Sequence, residues 1–113
     1  MTKFHSKDYI ACLQKAEAQD EIDKHLEEYG IAYDCPPFED LYKCITMVAG
    51  GTLKAVECLS NKSHSIAINW SGGWHHAHRN EAAGFCYVND IVLGILKLKE
   101  RFPKVLYIDL DLH

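Results

Sequence analysis

Val105-Leu106-Tyr107-Ile108-Asp109-Leu110-Asp111-Leu112-His113 is the stretch that decides the fold. Its first four residues form a short apolar run and read as a buried strand. In an extended chain side chains alternate, so Asp109, Asp111 and His113 project to one face and Leu110 and Leu112 to the other. Two carboxylates crowded at the end of a buried strand repel unless a cation or a donor lies between them. Oxygen and imidazole ligands suit a divalent ion such as zinc. An amphipathic edge strand with a solvated polar face accounts for the same pattern without a metal.

Working back along the chain, Pro103 breaks a helical pattern over about 88–101, where Ile91, Ile95 and Leu98 fall at helical spacing. Before it, Ser65-Ile66-Ala67-Ile68-Asn69 is a second strand candidate. Strand, crossover helix and strand make a βαβ unit, which implies a parallel sheet covered on both faces. The expectation is therefore an α/β chain, an incomplete three-layer αβα domain spanning residues 1–113. The chain stops at His113 directly after a buried strand, which reads as a cut domain with exposed apolar surface. Open parallel sheets bind ligands beyond the carboxyl ends of their strands. The first strand ends in Trp70-Ser71-Gly72-Gly73-Trp74-His75-His76, the second in the acidic stretch quoted above.

A histidine has its pKa close to neutrality and can act as general acid or base beside a metal. Adjacent histidines cannot point the same way in an extended segment, but Gly72 and Gly73 let a loop aim both at one cavity. A pair of surface or helix-start histidines is the plainer alternative. His5, His25, His64 and His78 have no such company and read as structural or solvated.

Towards the N-terminus, Ser6 is a plausible cap for a helix over about 7–18, carrying Tyr9, Ile10 and Leu13. A charged stretch from Gln19 to Glu28 reads as an exposed loop or short helix. Turn residues make Tyr29 to Pro37 irregular. A long helix follows from about Phe38 to Leu59, with Leu41, Ile45, Val48, Leu53 and Val56 on its apolar stripe. Gly50 and Gly51 within it mark close helix packing.

Composition narrows the function. With 12 basic and 16 acidic residues the formal charge is −4, so bulk electrostatics does not suit a nucleic-acid binder. The five cysteines are widely spaced and form no C-x-x-C pair, which disfavours thiolate zinc sites and a disulfide framework. They read as small core residues, with Cys86 set apart by its closeness to the histidine pair. No signal sequence or membrane-length apolar run is visible. Membrane partners are not expected, and the compartment is a reducing one.

Trp70 to His76, Glu81-Ala82 through Gly84-Phe85-Cys86-Tyr87-Val88-Asn89-Asp90, and Tyr107 to His113 together resemble the class I histone deacetylases, as do Tyr29-Gly30 and Tyr33-Asp34-Cys35-Pro36. The likeness runs over essentially the whole chain. It implies the arginase/deacetylase fold and a partial catalytic domain, truncated at both ends. The implied reaction is zinc-dependent hydrolysis of N-acetyl-lysine in histones and other proteins, in nucleus and cytoplasm.

By this resemblance, Asp111 and His113 are two of three zinc ligands. His76 is the general base, His75 its electrostatic partner, and Asp109 orients His75. Gly84 and Phe85 line the tunnel for the lysine stem, Asp34 binds substrate backbone at the rim, and Trp74 and Cys86 border the inner pocket. Asp109, Asp111 and His113 also contribute to a structural potassium site. The third ligand, a second orienting aspartate and an oxyanion-stabilising tyrosine belong to family segments beyond His113, and an arginine to a segment before Met1. The 113-residue chain alone is thus expected to be inactive. An acetylpolyamine-type amidohydrolase and a truncated isoform acting only by binding remain the alternatives.

Overall fold

The computed structural model describes residues 1–16 and 23–113. Among the described residues, four helices form the frame: α1 (Lys7–Lys15), α2 (Lys24–Glu27), α3 (Leu41–Ser60) and α4 (Asp90–Leu98). The Ser6 side chain accepts the Tyr9 N–H at 3.2 Å and caps α1 as its spacing predicts. Residues 17 and 18, the expected end of that helix, lie outside the described residues, as do 19–22 of the charged stretch. The remainder of that stretch holds α2, capped by Asp23 through the His25 N–H.

Helix α3 buries Leu41, Ile45, Val48, Ala49 and Val56, one stripe of its surface. It packs against α4, and more lightly against α1. Gly50 faces open space, and Gly51 lies against the Asn69 side-chain amide. The close helix approach expected at these glycines occurs instead at Gly94 of α4, where an added Cβ would sit 3.0 Å from the Thr52 methyl. Tyr9, Leu13, Ile31, Leu41, Ile45 and Val88 form the fully buried centre of the core. The Tyr9 hydroxyl donates to the Tyr87 carbonyl at 2.6 Å, which satisfies both groups inside it.

The expected strands differ from expectation. Residues 65–69 and 105–108 flank α4 in the predicted order, but among the described residues neither has a ladder partner. An extended segment becomes a strand only when a neighbour takes up its N–H and C=O groups. Here Ile66, Ile68, Leu106 and Ile108 are instead among the most exposed apolar side chains. The parallel sheet is thus not formed among these residues. Among the described residues, the one β-bridge joins Ala83 and Cys86.

Candidate active site

The loop carrying the two histidines is held from behind by polar side chains at the start of α4. Asn89 caps α4 by accepting the Val92 N–H at 3.0 Å. Its amide donates to the carbonyls of His75 and Ala77 at 3.1 and 3.0 Å. Asp90 is 1% exposed. Its carboxylate accepts the N–H of Gly73 at 3.1 Å, that of Trp74 at 2.8 Å and the Thr52 hydroxyl at 2.5 Å. A carboxylate is stable at such depth only when donors replace its hydration, and three do so. Asn69 adds a third hold, donating to Val48 O and Thr52 Oγ1 and accepting the Ser71 N–H.

His75 and His76 emerge from this anchored loop edge to face, with ring centroids 4.2 Å apart. His75 Nδ1 lies 2.6 Å from Asp109 Oδ2, and its Nε2 lies 3.7 Å from Asp111 Oδ2. The Tyr107 hydroxyl also donates to Asp109. The two partners agree in electrostatic direction. The Asp109 hydrogen bond raises the His75 pKa, and the bonds from His75 and Tyr107 hold the Asp109 carboxyl well below the usual carboxylate range. A hydrogen bond to a carboxylate fixes which ring nitrogen carries the proton, so Nδ1 of His75 is the protonated one. His76 Nε2 faces His113 Nδ1 at 3.2 Å, so one of these two rings donates to the other.

The opposite wall is a tight turn. Ala83 and Cys86 exchange both backbone hydrogen bonds, at 3.1 and 2.8 Å. The two residues between them have positive φ, +51° at Gly84 and +63° at Phe85, the sign pattern of a type I′ turn. A phenylalanine in that region costs about 1–2 kcal/mol. A Cβ on Gly84 would lie 2.6 Å from the His76 ring, so the turn rests directly on the histidine. Asp34 accepts the Gly84 N–H at 2.8 Å.

These elements enclose a cavity of about 500 Å³ lined by both histidines, Gly84, Phe85, Cys86, Asp109, Asp111 and His113. Most residues expected at a site are therefore brought together. Trp74 lies instead against the core, tilted on Tyr87 with ring centroids 5.9 Å apart. Asp34 reaches the site through Gly84. Cys86 and Cys35 are buried and their thiols are pushed up by burial, Cys35 to about 11, so neither is a thiolate near neutral pH.

Asp111 and His113 offer carboxylate and imidazole donors of the kind zinc takes. Among the described residues, however, no three His, Cys, Asp or Glu side chains converge to hold a metal. His113 turns to His76, and Asp111 Oδ2 accepts the His113 N–H at 3.1 Å. The anchoring roles of Asn69, Asn89 and Asp90, and that of Tyr107, were not read from the sequence. The available signal was an Asn directly before a helical pattern, the position of a cap.

Residues 1–113 match the family described as the Histone deacetylase domain. The chain is 53% identical over 114 residues to histone deacetylase 8 of Xenopus tropicalis, covering all of this chain and 31% of that protein. It is 52% identical to histone deacetylase 8 of Xenopus laevis, again over the whole chain and 35% of the relative. Against histone deacetylase 9 of Arabidopsis thaliana it is 50% identical, over the whole chain and 27% of that protein. The chain thus spans about a third of the length of the curated relatives it matches.

Proposed function

Because this chain belongs to the histone deacetylase family, we propose that it contributes the histidine pair, the tunnel wall and two metal ligands of a zinc-dependent lysine deacetylase. The domain implies the arginase/deacetylase fold. In that fold the bare faces of residues 65–69 and 105–108 take their places in the parallel sheet. The substrate is the N-acetyl-lysine side chain of histones and other proteins, met in nucleus and cytoplasm.

The observation that carries the reading is the convergence of His75, His76, Asp109, Asp111 and His113 on one cavity walled by Gly84 and Phe85. Hydrolysis of an amide needs a proton taken from water and a proton returned to the departing amine. His76 Nε2, which faces His113 Nδ1 at 3.2 Å, performs both transfers. His75, kept protonated at Nδ1 by Asp109, presents a fixed dipole to the same space. Phe85, 74% exposed, suits the methylene stem of a lysine. Asp34 at the rim receives substrate backbone.

Asp111 and His113 would hold the zinc ion, which when bound supplies Lewis-acid polarisation of the scissile carbonyl and a lowered water pKa. Asp109, Asp111 and His113 would also serve a structural potassium ion. Two protein donors make a weak zinc site, since affinity follows ligand count and preorganisation. The 113-residue polypeptide by itself is accordingly proposed to be inactive.

The test is release of acetate from an acetyl-lysine peptide by the full-length gene product, with and without a chelator. His76→Ala should lower turnover about 10²–10⁴-fold, and chelation should abolish it until zinc is restored. Turnover that ignores both the chelator and His76→Ala would sink the reading. A preference for an acetylated polyamine over the peptide would reassign the substrate while leaving the chemistry.

A further inference from the structure

The strained turn beside His76 takes one charged support from outside it, beside a long contact from the Cys35 thiol to the Cys86 carbonyl at 3.9 Å. Within Ala83–Cys86 the backbone closes on itself, which leaves the Gly84 N–H without a partner in the turn. Asp34 Oδ2 takes that N–H at 2.8 Å from a segment 50 residues earlier. The Asp34 segment is itself braced. The Ala82 N–H donates to Tyr29 O, the Cys35 N–H donates to Ala32 O, and Cys35 is fully buried. Gly30 meets the Ala82 carbonyl so closely that a side chain there could not be accommodated. Phe85 keeps a positive φ with its ring 74% exposed, so burial of that ring does not hold the turn in place. On the far side, Gly84 is in contact with the His76 ring.

From this chain of contacts we infer that Asp34 is a positioning residue: by accepting the Gly84 N–H it holds the Gly84–Phe85 turn, and through the turn sets the tunnel wall and the seat of the His76 ring. This deepens the deacetylase reading and rests on it for the word tunnel. It differs from a rim role, in which the same carboxylate meets only substrate backbone. A substrate N–H arriving at Asp34 then shares an acceptor with the turn, so recognition at the rim is coupled to the wall.

The experiment uses the full-length gene product with Asp34→Ala and Asp34→Asn, the latter keeping an oxygen acceptor. Two readouts are taken: hydrogen exchange at the Gly84 amide, and turnover of an N-alkylacetamide that carries the acetyl-lysine stem but no peptide backbone. Exchange at Gly84 should rise about tenfold or more in Asp34→Ala and stay within about threefold of wild type in Asp34→Asn. Turnover of the backbone-free substrate should fall about tenfold in the alanine variant and recover in the asparagine variant. Unchanged Gly84 exchange in Asp34→Ala overturns the inference. So does a loss confined to peptide substrates, which leaves only the rim role. Asp34→Ser, too short to reach Gly84, gives the same comparison if the alanine variant does not fold. Should the wild type hydrolyse neither substrate, the deacetylase reading fails, and the Gly84 exchange alone decides the positioning role.

Discussion

Asp90 binds the backbone of Gly73 with both carboxylate oxygens, each 3.1 Å from the Gly73 nitrogen, across 17 residues of chain. The first turn of α4 and the histidine loop are therefore one mechanical unit. Asp90→Ala leaves the Gly73 and Trp74 N–H groups and the Thr52 hydroxyl without their buried acceptor. Bonds to a charged group are worth about 1.5–3 kcal/mol each and are not additive, so a loss of about 3 kcal/mol is expected. Denaturant unfolding of the full-length protein measures it. A change below about 0.5 kcal/mol, the range of ordinary surface substitutions, would contradict the anchoring role.

Gly84→Ala places a Cβ 2.6 Å from the His76 ring and adds it at a φ of +51°. The strain of a side chain there is about 1–2 kcal/mol, small against the effect on chemistry. Turnover is expected to drop more than about tenfold, since a displacement near 1 Å of a reacting group can cost about 10²-fold. Steady-state kinetics should show the loss mainly in kcat.

Tyr9 is wholly buried and its hydroxyl is bonded to Tyr87 O, and burial pushes its pKa far above the usual tyrosine value. Tyr9→Phe removes the hydroxyl and leaves that carbonyl unpaired in the core. The expected cost is about 1–3 kcal/mol, read as a lowered unfolding midpoint with little change in KM.

His5 should make stability depend on pH. It is 1% exposed, its Nε2 accepts the Asn89 N–H at 3.0 Å, and its Nδ1 lies 3.2 Å from the Arg79 carbonyl. Nδ1 carries the proton, and the ring is neutral when folded. Desolvation, ahead of the carbonyl contacts that oppose it, lowers its pKa from 6.5. The unfolded chain then binds more protons than the folded one below that value. Stability is full above about 6.5 and falls as pH drops towards the folded pKa. His5→Gln should flatten the fall below about pH 6.5 in thermal melts. An unchanged slope would remove His5 as its source.

The helices were legible because burial repeats at short range. The Ser6 cap and the Leu41–Ile45–Val48 stripe announce themselves within a few residues, and the Ile91–Ile95 spacing announces α4, although the apolar side chain buried there is Leu93. The histidine pair and Asp109–His113 were legible as chemistry, and the structure brings them into one cavity. What stayed hidden depends on partners far along the chain. Nothing local to Asp34 announces Gly84, nor does Asp90 announce Gly73. The strand candidates show the converse: Ile66 and Leu106 have the composition of strands, but a strand is made by its neighbour's hydrogen bonds. Gly50 looked like a packing site and faces open space, in a cavity that it lines together with Leu93 and Lys97 of α4.

The terminal stretch carries two messages on alternate residues. Leu106, Leu110 and Leu112 stand bare, while Tyr107, Asp109, Asp111 and His113 line the cavity, which Ile108 also borders. A slip of a single residue exchanges the two sets, presenting leucine to the histidines and carboxylates to the apolar side. Deleting one residue from 104–106 should therefore be far more damaging than any single substitution there, because it breaks the parity of the chain.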